Sequence, residues 1–351
     1  MIDAMRLSRR HIIGGAAASA AGALIDPHAT LAEAPAPRLI DVHHHVFAPA
    51  LTDAWQNWGA ERKVRVPPVA RDWTIEHTLA EMDKNGIATA VLSLSSNAGV
   101  WFGSDPAGMR RYARIHNEYA TRLAQDHPGR LGVFATLPLP DVDGALAEIA
   151  YALDTLKADG IGLFTNYGKQ WPGDREFAPV FEELDRRKAV VYFHPQTPDC
   201  CGNLIPGIGD NYVEFPHDTA RAVMSLLFSG TFARRQNIRF IFSHAGGTVP
   251  MMAYRVLNLA KDRKDLGEIA PNGILHELQR LNYELAQAAF PPNVAALLKL
   301  VPISQALYGS DYPYVDVATS AQGIHKVGLT AAQLRAVARG NAEKLLPRLK
   351  A

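Results

Sequence analysis

The sequence predicts a single (β/α)8 barrel. Short β-branched runs alternate with amphipathic segments along the chain, and eight such units follow residue 38. Alternating strands and helices favour a parallel sheet, and eight units favour a closed barrel over an open doubly wound sheet. No G-x-G-x-x-G motif follows the first strand, so a dinucleotide-binding fold lacks its sequence signature.

The eight predicted strands cover residues 39–45, 87–94, 130–137, 160–165, 189–194, 238–244, 281–285 and 306–310. Several are nearly continuous apolar runs, which is typical of parallel strands buried on both faces. The long connection 47–73 carries three tryptophans. It is predicted to be a loop that walls a pocket at the carboxyl end of the barrel, where barrel active sites lie.

Length and composition fit one globular domain. Hydrophobic residues make up 48% and charged residues 20% of the 351 residues, which is ordinary for a globular protein, and single barrels reach this length. The formal net charge of +1 excludes a bulk basic field that would recruit nucleic acid or a membrane surface. Cys200 and Cys201 are adjacent, a spacing that rarely suits a relaxed disulfide, so no disulfide framework is predicted.

Residues 1–34 are predicted to be a signal peptide and linker, and residues 35–351 a single barrel domain. The pair Arg9-Arg10 directly precedes a short apolar stretch rich in Ala and Gly, a layout that resembles a twin-arginine signal. Cleavage is expected after Ala32. The mature protein is therefore predicted to be periplasmic or secreted and to have no membrane span. The alternative is an N-terminal extension with no export role.

The strongest local signal is Asp41-Val42-His43-His44-His45. Because side chains alternate along a strand, His43 and His45 should face one side and His44 the other. Two imidazoles at a strand end can bind one cation, and Asp41 has the parity to orient them from below. On its own, a triple histidine is equally compatible with a surface patch.

Three further polar residues, His194, His244 and Asp311, each end an apolar strand. In a barrel these strand ends converge at one mouth, and burying such groups without a shared ligand is costly, so a metal site is predicted. Imidazole and carboxylate ligands favour Zn(II), with Mn(II) as the alternative, over Ca(II) or Mg(II). The glycines of the turn 243–247 are expected to let the backbone approach a ligand closely.

These motifs resemble the amidohydrolase superfamily, and in particular its decarboxylase branch, the group of aminocarboxymuconate-semialdehyde and γ-resorcylate decarboxylases. The resemblance spans nearly everything after residue 38. The stretches 164–184 and 225–230 also look like 6-methylsalicylate decarboxylase-type members. The motifs that carry the resemblance are Ile40-Asp41-Val42-His43-His44-His45, Phe193-His194-Pro195, Ser243-His244-Ala245-Gly246-Gly247 and Tyr308-Gly309-Ser310-Asp311-Tyr312-Pro313.

The resemblance implies one divalent metal, with His244 unligated beside it as a hydrogen-bonding or acid–base group. Superfamily members with two metals carry a carboxylated lysine on the fourth strand, whereas the fourth predicted strand here ends in Phe164-Thr165-Asn166. The implied ligands are His43, His45, His194 and Asp311.

Relatives bind the substrate carboxylate with arginines, one of them across a subunit interface, and they form dimers. The resemblance therefore implies a homodimer. It makes Arg255 and Arg263, after His244, candidate substrate-binding residues, with Arg71 as a third. Arg255 and Arg263 are equally compatible with an exposed helix surface.

The implied reaction is non-oxidative decarboxylation of an aromatic, hydroxybenzoate-like or enoic carboxylic acid. Asp311 would carry the proton to the carbon that loses carbon dioxide, and His244 would polarise a substrate oxygen. The aromatic residues Phe47, Trp101 and Phe102 could sandwich the ring, and each is equally compatible with ordinary core packing.

Two alternatives use the same ligands. In a hydrolase of a lactone or a related ester or amide, Asp311 would deprotonate the attacking water. A non-catalytic metal-binding or sensor protein would need no open coordination position.

Overall fold

Eight parallel strands form one sheet in the order of the sequence. The structure is a computed structural model that describes residues 38–62, 66–96 and 105–349. The predicted signal peptide, Trp101 and Phe102 lie outside the described residues. The strands are β1 Leu39–His45, β2 Ile87–Ser93, β3 Leu131–Thr136, β4 Gly160–Phe164, β5 Val190–His194, β6 Arg239–Phe242, β7 Asn282–Glu284 and β8 Ala306–Leu307.

The sheet closes into a barrel because β1 also meets β8 and the segment that follows it. The amide of Val42 donates to the carbonyl of Tyr308 at 3.1 Å, and the amide of Asp311 donates to the carbonyl of His43 at 2.8 Å. The predicted (β/α)8 barrel is confirmed.

Helices connect successive strands, and shorter 3₁₀ and π segments adjoin them. The α-helices are α1 Pro49–Arg62, α2 Pro68–Arg71, α3 Ile75–Lys84, α4 Pro106–Asp126, α5 Val142–Ala150, α6 Ala178–Arg186, α7 Glu214–Phe228, α8 Thr231–Arg234, α9 Val249–Ala260, α10 Leu266–Ile269, α11 Ile274–Gln279, α12 Pro291–Leu300, α13 Val317–Gly323, α14 Ala331–Arg335 and α15 Asn341–Leu345. The 3₁₀ segments are Arg175–Phe177, Asp210–Tyr212, His244–Gly246, Ile303–Gln305 and Pro347–Leu349, and the π segments are Tyr151–Thr155 and Ala336–Gly340.

All eight predicted strands are present, and they differ from the prediction mainly at their carboxyl ends. β6 ends at Phe242 and β8 at Leu307, earlier than predicted. The chain soon adopts left-handed backbone in both places, with φ of 54° at His244 and 64° at Asp311. Extended pairing cannot continue through such residues. β6 therefore stops just before His244, whereas β8 ends at Leu307, well before Asp311.

The connection 47–73 differs from the predicted loop, because much of it is helical and forms α1 and α2. Between β5 and β6, Gly230, whose φ is 72°, separates α7 from α8. No helix within the described ranges is long and apolar enough to span a membrane.

The expectation about the cysteines was wrong. Cys200 and Cys201 form a disulfide bond in the loop between β5 and α7. A tight turn precedes it, in which the amide of Cys201 donates to the carbonyl of Pro198 at 3.0 Å. This turn brings together two thiols that an extended chain would hold apart.

The close packing of β4 against its neighbours makes a matched pair of glycine substitutions informative. A Cβ on Gly160 would lie 2.6 Å from the carbonyl oxygen of Val190 and 3.0 Å from the ring of Phe134, whereas a Cβ on Gly162 would meet nothing closer than 3.5 Å. We expect Gly160→Ala to lower the free energy of unfolding by about 1–3 kcal/mol. Gly162→Ala should leave it unchanged or raise it by up to about 1 kcal/mol. Urea denaturation measures both, and equal losses would contradict the packing described.

Candidate metal centre and adjoining cavities

Four buried side chains bring their donor atoms together at the carboxyl end of the barrel. His43 and His45 come from β1, His194 ends β5, and Asp311 follows β8. Their donor atoms all lie within 4.8 Å of one another. The structure thus confirms that His43 and His45 face the same side, and it brings them together with the other two predicted residues.

The spacing of these donor atoms suits a metal ion. The two Nε2 atoms of His43 and His45 are 3.1 Å apart, and they lie 3.1 and 2.9 Å from Oδ1 of Asp311. Ligands bound tetrahedrally to zinc at about 2.0–2.1 Å would be about 3.3 Å from one another. Two buried ring nitrogens this close need a proton or a cation between them, since their lone pairs would otherwise face each other. The cluster can therefore hold a divalent cation.

Burial and charge set the protonation of the cluster. Burial lowers the pKa of His194 well below its ordinary value and also lowers the pKa of His45, so both rings favour the neutral form that binds metals. Burial acts in the same direction on His43, but the carboxylates of Asp311 and Glu284 outweigh it and raise the pKa of His43 to about 10.

The carboxylate of the cluster keeps its negative charge. Burial alone would raise the pKa of Asp311, but the neighbouring imidazoles, His43 first, lower it well below its ordinary value. A metal ligand must be deprotonated, so this environment favours cation binding.

His244 lies beside the cluster. Its Nε2 is 3.4 Å from Oδ2 of Asp311, whereas His43 and His45 approach Oδ1. One oxygen of Asp311 therefore faces the cluster and the other faces His244. The left-handed backbone of His244 is costly for a residue that has a Cβ atom, and such strain is typical of functional sites.

The glycines after His244 are needed for packing against protein, and the expectation that they let the backbone approach a ligand stays a prediction. A Cβ on Gly247 would overlap the carbonyl oxygen of Pro216, and one on Gly246 would lie 2.6 Å from the ring of Tyr283. Both glycines also have positive φ, 76° at Gly246 and 59° at Gly247. The turn thus needs glycine for its own geometry.

Asp41 supports the cluster through the backbone. Its Oδ1 accepts the amides of His43 and Ser310, each at 3.0 Å. Its Oδ2 accepts the hydroxyl of Ser310 at 2.5 Å and Nδ1 of His44 at 2.9 Å. The expected support from below is present, but it fixes the position of the segments that carry His43 and Asp311 and does not involve the His43 ring. His44 faces away from the cluster, as predicted, and is buried against Tyr312.

Glu284 is a site residue that the sequence reasoning missed. It is the last residue of β7 and is fully buried. Nδ1 of His43 donates to Oε1 of Glu284 at 2.8 Å. An acidic residue within the predicted strand 281–285 was the available signal, but Asn282 in the same strand makes this signal weaker than the one that identified Asp311.

Gln287 was also missed. Its Nε2 donates to Oδ2 of Asp311, the oxygen that faces His244. Its backbone is left-handed, with φ of 51°. A glutamine three residues beyond a three-residue strand offers no sequence pattern that would single it out.

An aromatic cavity of about 340 Å³ adjoins the cluster. His194 and Asp311 form part of its wall, and three aromatic side chains, Trp55, Phe215 and Tyr314, form another part. This volume lies within the usual range of small-molecule sites, which are mostly apolar with a few fixed polar groups. Trp55 belongs to the connection 47–73, which therefore walls a cavity as predicted.

A second cavity of about 430 Å³ lies on the side of His244. Its wall is more polar and includes Asn211 and Asn293. Asn211 and Gln287 border both cavities. The cluster therefore adjoins a mainly aromatic cavity, and a more polar cavity that shares Asn211 and Gln287 with it reaches His244.

Among the described residues, none of the predicted substrate-binding residues lines either cavity. Phe47 is buried behind Tyr314, with ring centroids 6.2 Å apart. Arg255 is exposed on α9, and Arg71 and Arg263 are exposed and paired with the adjacent Asp72 and the nearby Asp265. Trp101 lies outside the described residues. The aromatic walls come instead from α1, the start of α7 and the segment after β8.

Comparisons with known proteins agree on one family. A family model described as an amidohydrolase matches residues 40–348. The chain is 36% identical over 327 residues to the decarboxylase yanB of Aspergillus niger, covering 89% of this chain and 88% of that protein. It is 31% identical over 318 residues to the 6-methylsalicylic acid decarboxylase of Penicillium expansum, covering 89% and 97% of the two chains.

A solved structure shows the same fold. The 5-carboxyvanillate decarboxylase of Novosphingobium aromaticivorans, complexed with manganese and 4-hydroxy-3-methoxy-5-nitrobenzoic acid, matches with a TM-score of 0.79 at 20% identity. The match covers 88% of this chain and 96% of that chain.

Proposed function

This chain belongs to the amidohydrolase family, and on that premise we propose that it is a carboxy-lyase that decarboxylates an aromatic, hydroxybenzoate-like acid without oxidation. The observation that carries the proposal is the aromatic cavity that opens directly onto His194 and Asp311. The relatives that cover most of this chain are named decarboxylases, one of them for 6-methylsalicylic acid.

We assign His43, His45, His194 and Asp311 as the ligands of one divalent metal. Their four donor atoms converge in a buried site. When bound, the metal would hold the substrate carboxylate and its ortho hydroxyl oxygen and offset their negative charge. The aromatic walls would orient the ring and exclude water from it.

Proton delivery falls to Asp311 and His244. In the reaction a proton adds to the ring carbon that bears the carboxylate, the bond between them breaks, its electron pair returns to the ring, and carbon dioxide leaves. Oδ2 of Asp311 lies 3.4 Å from Nε2 of His244, a separation that substrate binding would have to shorten for a proton to pass between the two groups. Asp311 also lines the aromatic cavity and is the group nearer to a ring bound there. His244 would polarise a substrate oxygen or supply the proton.

Turnover across a small substrate panel tests the function. We expect metal-loaded protein to convert at least one of salicylate, 6-methylsalicylate or 2,6-dihydroxybenzoate to carbon dioxide and the matching phenol under anaerobic conditions. In heavy water, deuterium should appear at the carbon that loses the carboxylate. Benzoate, which lacks the ortho hydroxyl, is the matched control and should react far more slowly. Carbon dioxide release from none of the hydroxybenzoates, or opening of a simple lactone in their place, would refute the proposal and favour a hydrolase.

Two histidine substitutions separate the ligand role from the acid–base role. His194→Ala should lose metal and activity together. His244→Ala should retain metal but lower kcat by about 10²–10⁴-fold, the usual contribution of general acid–base catalysis. His217→Ala, on the exposed side of α7, is the control and should change neither. Metal content per folded protein, measured beside kcat, checks all three, and loss of metal from His244→Ala would make His244 a ligand.

We propose zinc as the metal, with manganese as the alternative. A buried set of three imidazoles and one carboxylate is typical of zinc sites, and it also accepts manganese. The manganese in the similar 5-carboxyvanillate decarboxylase supports the alternative. Reactivation of chelator-treated protein by each ion, with elemental analysis of the purified enzyme, decides between them.

We propose a homodimer that buries α9. Met251, Tyr254 and Leu259 are exposed apolar residues on this helix, and an apolar helix face of this kind is typical of interfaces. Arg255 on the same helix would then approach the substrate of the second copy. Sedimentation velocity should give the mass of a dimer for the wild type and of a monomer for Tyr254→Glu; a wild-type monomer would refute it.

We propose that the mature protein is periplasmic or secreted through a twin-arginine signal. The pair Arg9-Arg10 before an apolar stretch supports this. Replacing both arginines by lysine should leave uncleaved protein in the cytoplasm, and an unchanged distribution would refute it.

A further inference from the structure

We propose that Glu284 is a positioning residue that fixes both the ring of His43 and the turn of His244. One buried carboxylate would thereby couple a metal ligand to the acid–base group beside the metal. The inference rests on the metal role proposed for His43 and does not depend on which reaction the enzyme catalyses.

The hydrogen bonds of Glu284 set the tautomer of His43. A carboxylate can only accept, so Nδ1 of His43, at 2.8 Å from Oε1, must carry the proton. In the neutral ring that binds a metal, the lone pair of His43 is then on Nε2, the atom that lies 3.1 Å from Nε2 of His45. Partners of this kind orient metal-binding histidines and raise their basicity.

The same oxygen of Glu284 holds the His244 turn. The amide of His244 donates to Oε1 at 2.7 Å, a short bond to a charged acceptor and therefore a strong one. This residue is in the left-handed region, so its backbone is strained and needs support from its surroundings. Oε2 is engaged as well, by the amide of Ala286 at 2.6 Å. With both oxygens bound by protein donors, Glu284 is placed to orient the site and not to bind the metal.

Gly309 provides the space that Glu284 occupies. A Cβ at this position would overlap Oε2 of Glu284 and lie 3.0 Å from Cβ of His43. The glycine just after β8 therefore lets a β7 side chain reach a β1 ligand beneath the cluster. Gly309→Ala should displace the Glu284 carboxylate without removing any polar group.

Glu284→Gln tests the proposal, with metal affinity as the main readout. The glutamine amide has a single acceptor oxygen and no charge, so it cannot accept from His43, His244 and Ala286 together. We expect the Kd for zinc, measured against a competing chelator on folded protein, to rise by about 10–100-fold. We also expect the visible absorption bands of the cobalt-substituted variant to shift, because the orientation of a ligand changes.

Glu148→Gln is the matched control. Glu148 is also a buried carboxylate, but it lies on α5, where it accepts from Arg114 and Asn117. This variant should lose stability and keep the wild-type Kd and cobalt spectrum.

Gly309→Ala repeats the test if Glu284→Gln fails to fold. It should weaken zinc binding in the same direction, whereas Gly267→Ala, at a position with nothing within 4 Å of the new Cβ, should not. A wild-type Kd and an unchanged cobalt spectrum in Glu284→Gln, or in Gly309→Ala where Glu284→Gln does not fold, would overturn the proposal. Because neither readout uses a substrate, failure of the proposed decarboxylation would leave this test intact.

Discussion

Closure of the barrel between β1 and β8 is the constraint on which the site depends. The amide of Asp311 donates to the carbonyl of His43, and the amide of His45 donates to the carbonyl of Tyr312, each at 2.8 Å. These bonds hold the first and last strand ends at a fixed register. Residues about 270 positions apart in the sequence thus become neighbours, and the barrel itself assembles the proposed ligand set from His43 to Asp311.

Buried charge explains why closure is reinforced by side chains. Asp41, Glu284 and Asp311 are all buried at the junction, and burying a carboxylate is costly unless donors surround it. Asp41 takes its donors from β1 and from the segment after β8. Glu284 takes its donors from β1, the turn after β6 and the segment after β7. Each carboxylate therefore ties strand ends together while it satisfies its own hydrogen-bonding needs.

The sequence was sufficient for the fold and the cluster because both follow from local periodicity. Strand alternation placed His43 and His45 on one side, and the rule that polar residues end apolar strands identified His194, His244 and Asp311. The cavity walls do not follow from such rules. Phe215 and Tyr314 line the aromatic cavity from segments whose paths depend on tertiary packing. The sequence therefore predicted Phe47 as a wall residue, whereas Phe47 packs against Tyr314 and does not line the cavity.

Gln287 shows a second reason why the sequence falls short. The residue follows a strand of only three residues, and its contact depends on left-handed backbone at Gln287 itself and at Asp311. The conformation at Gln287 is not favoured by its residue type, since glycine, asparagine and aspartate are the more usual occupants of this region. The closed barrel imposes both conformations, and such strain is paid for by packing elsewhere.

The two carboxylate oxygens of Asp311 face different groups of the site. Oδ1 faces the imidazoles of His43 and His45, whereas Oδ2 faces His244 and accepts from Gln287. The two roles proposed for Asp311, metal ligand and proton carrier, require such a division, because an oxygen that binds a cation is a poor base. Gln287 is a neutral donor, so it orients Oδ2 by a hydrogen bond. A positively charged donor at this position would lower the proton affinity of Oδ2 much more. Its position between the aromatic and polar cavities sets this oxygen at the boundary where the ring of a substrate and its polar substituents would meet.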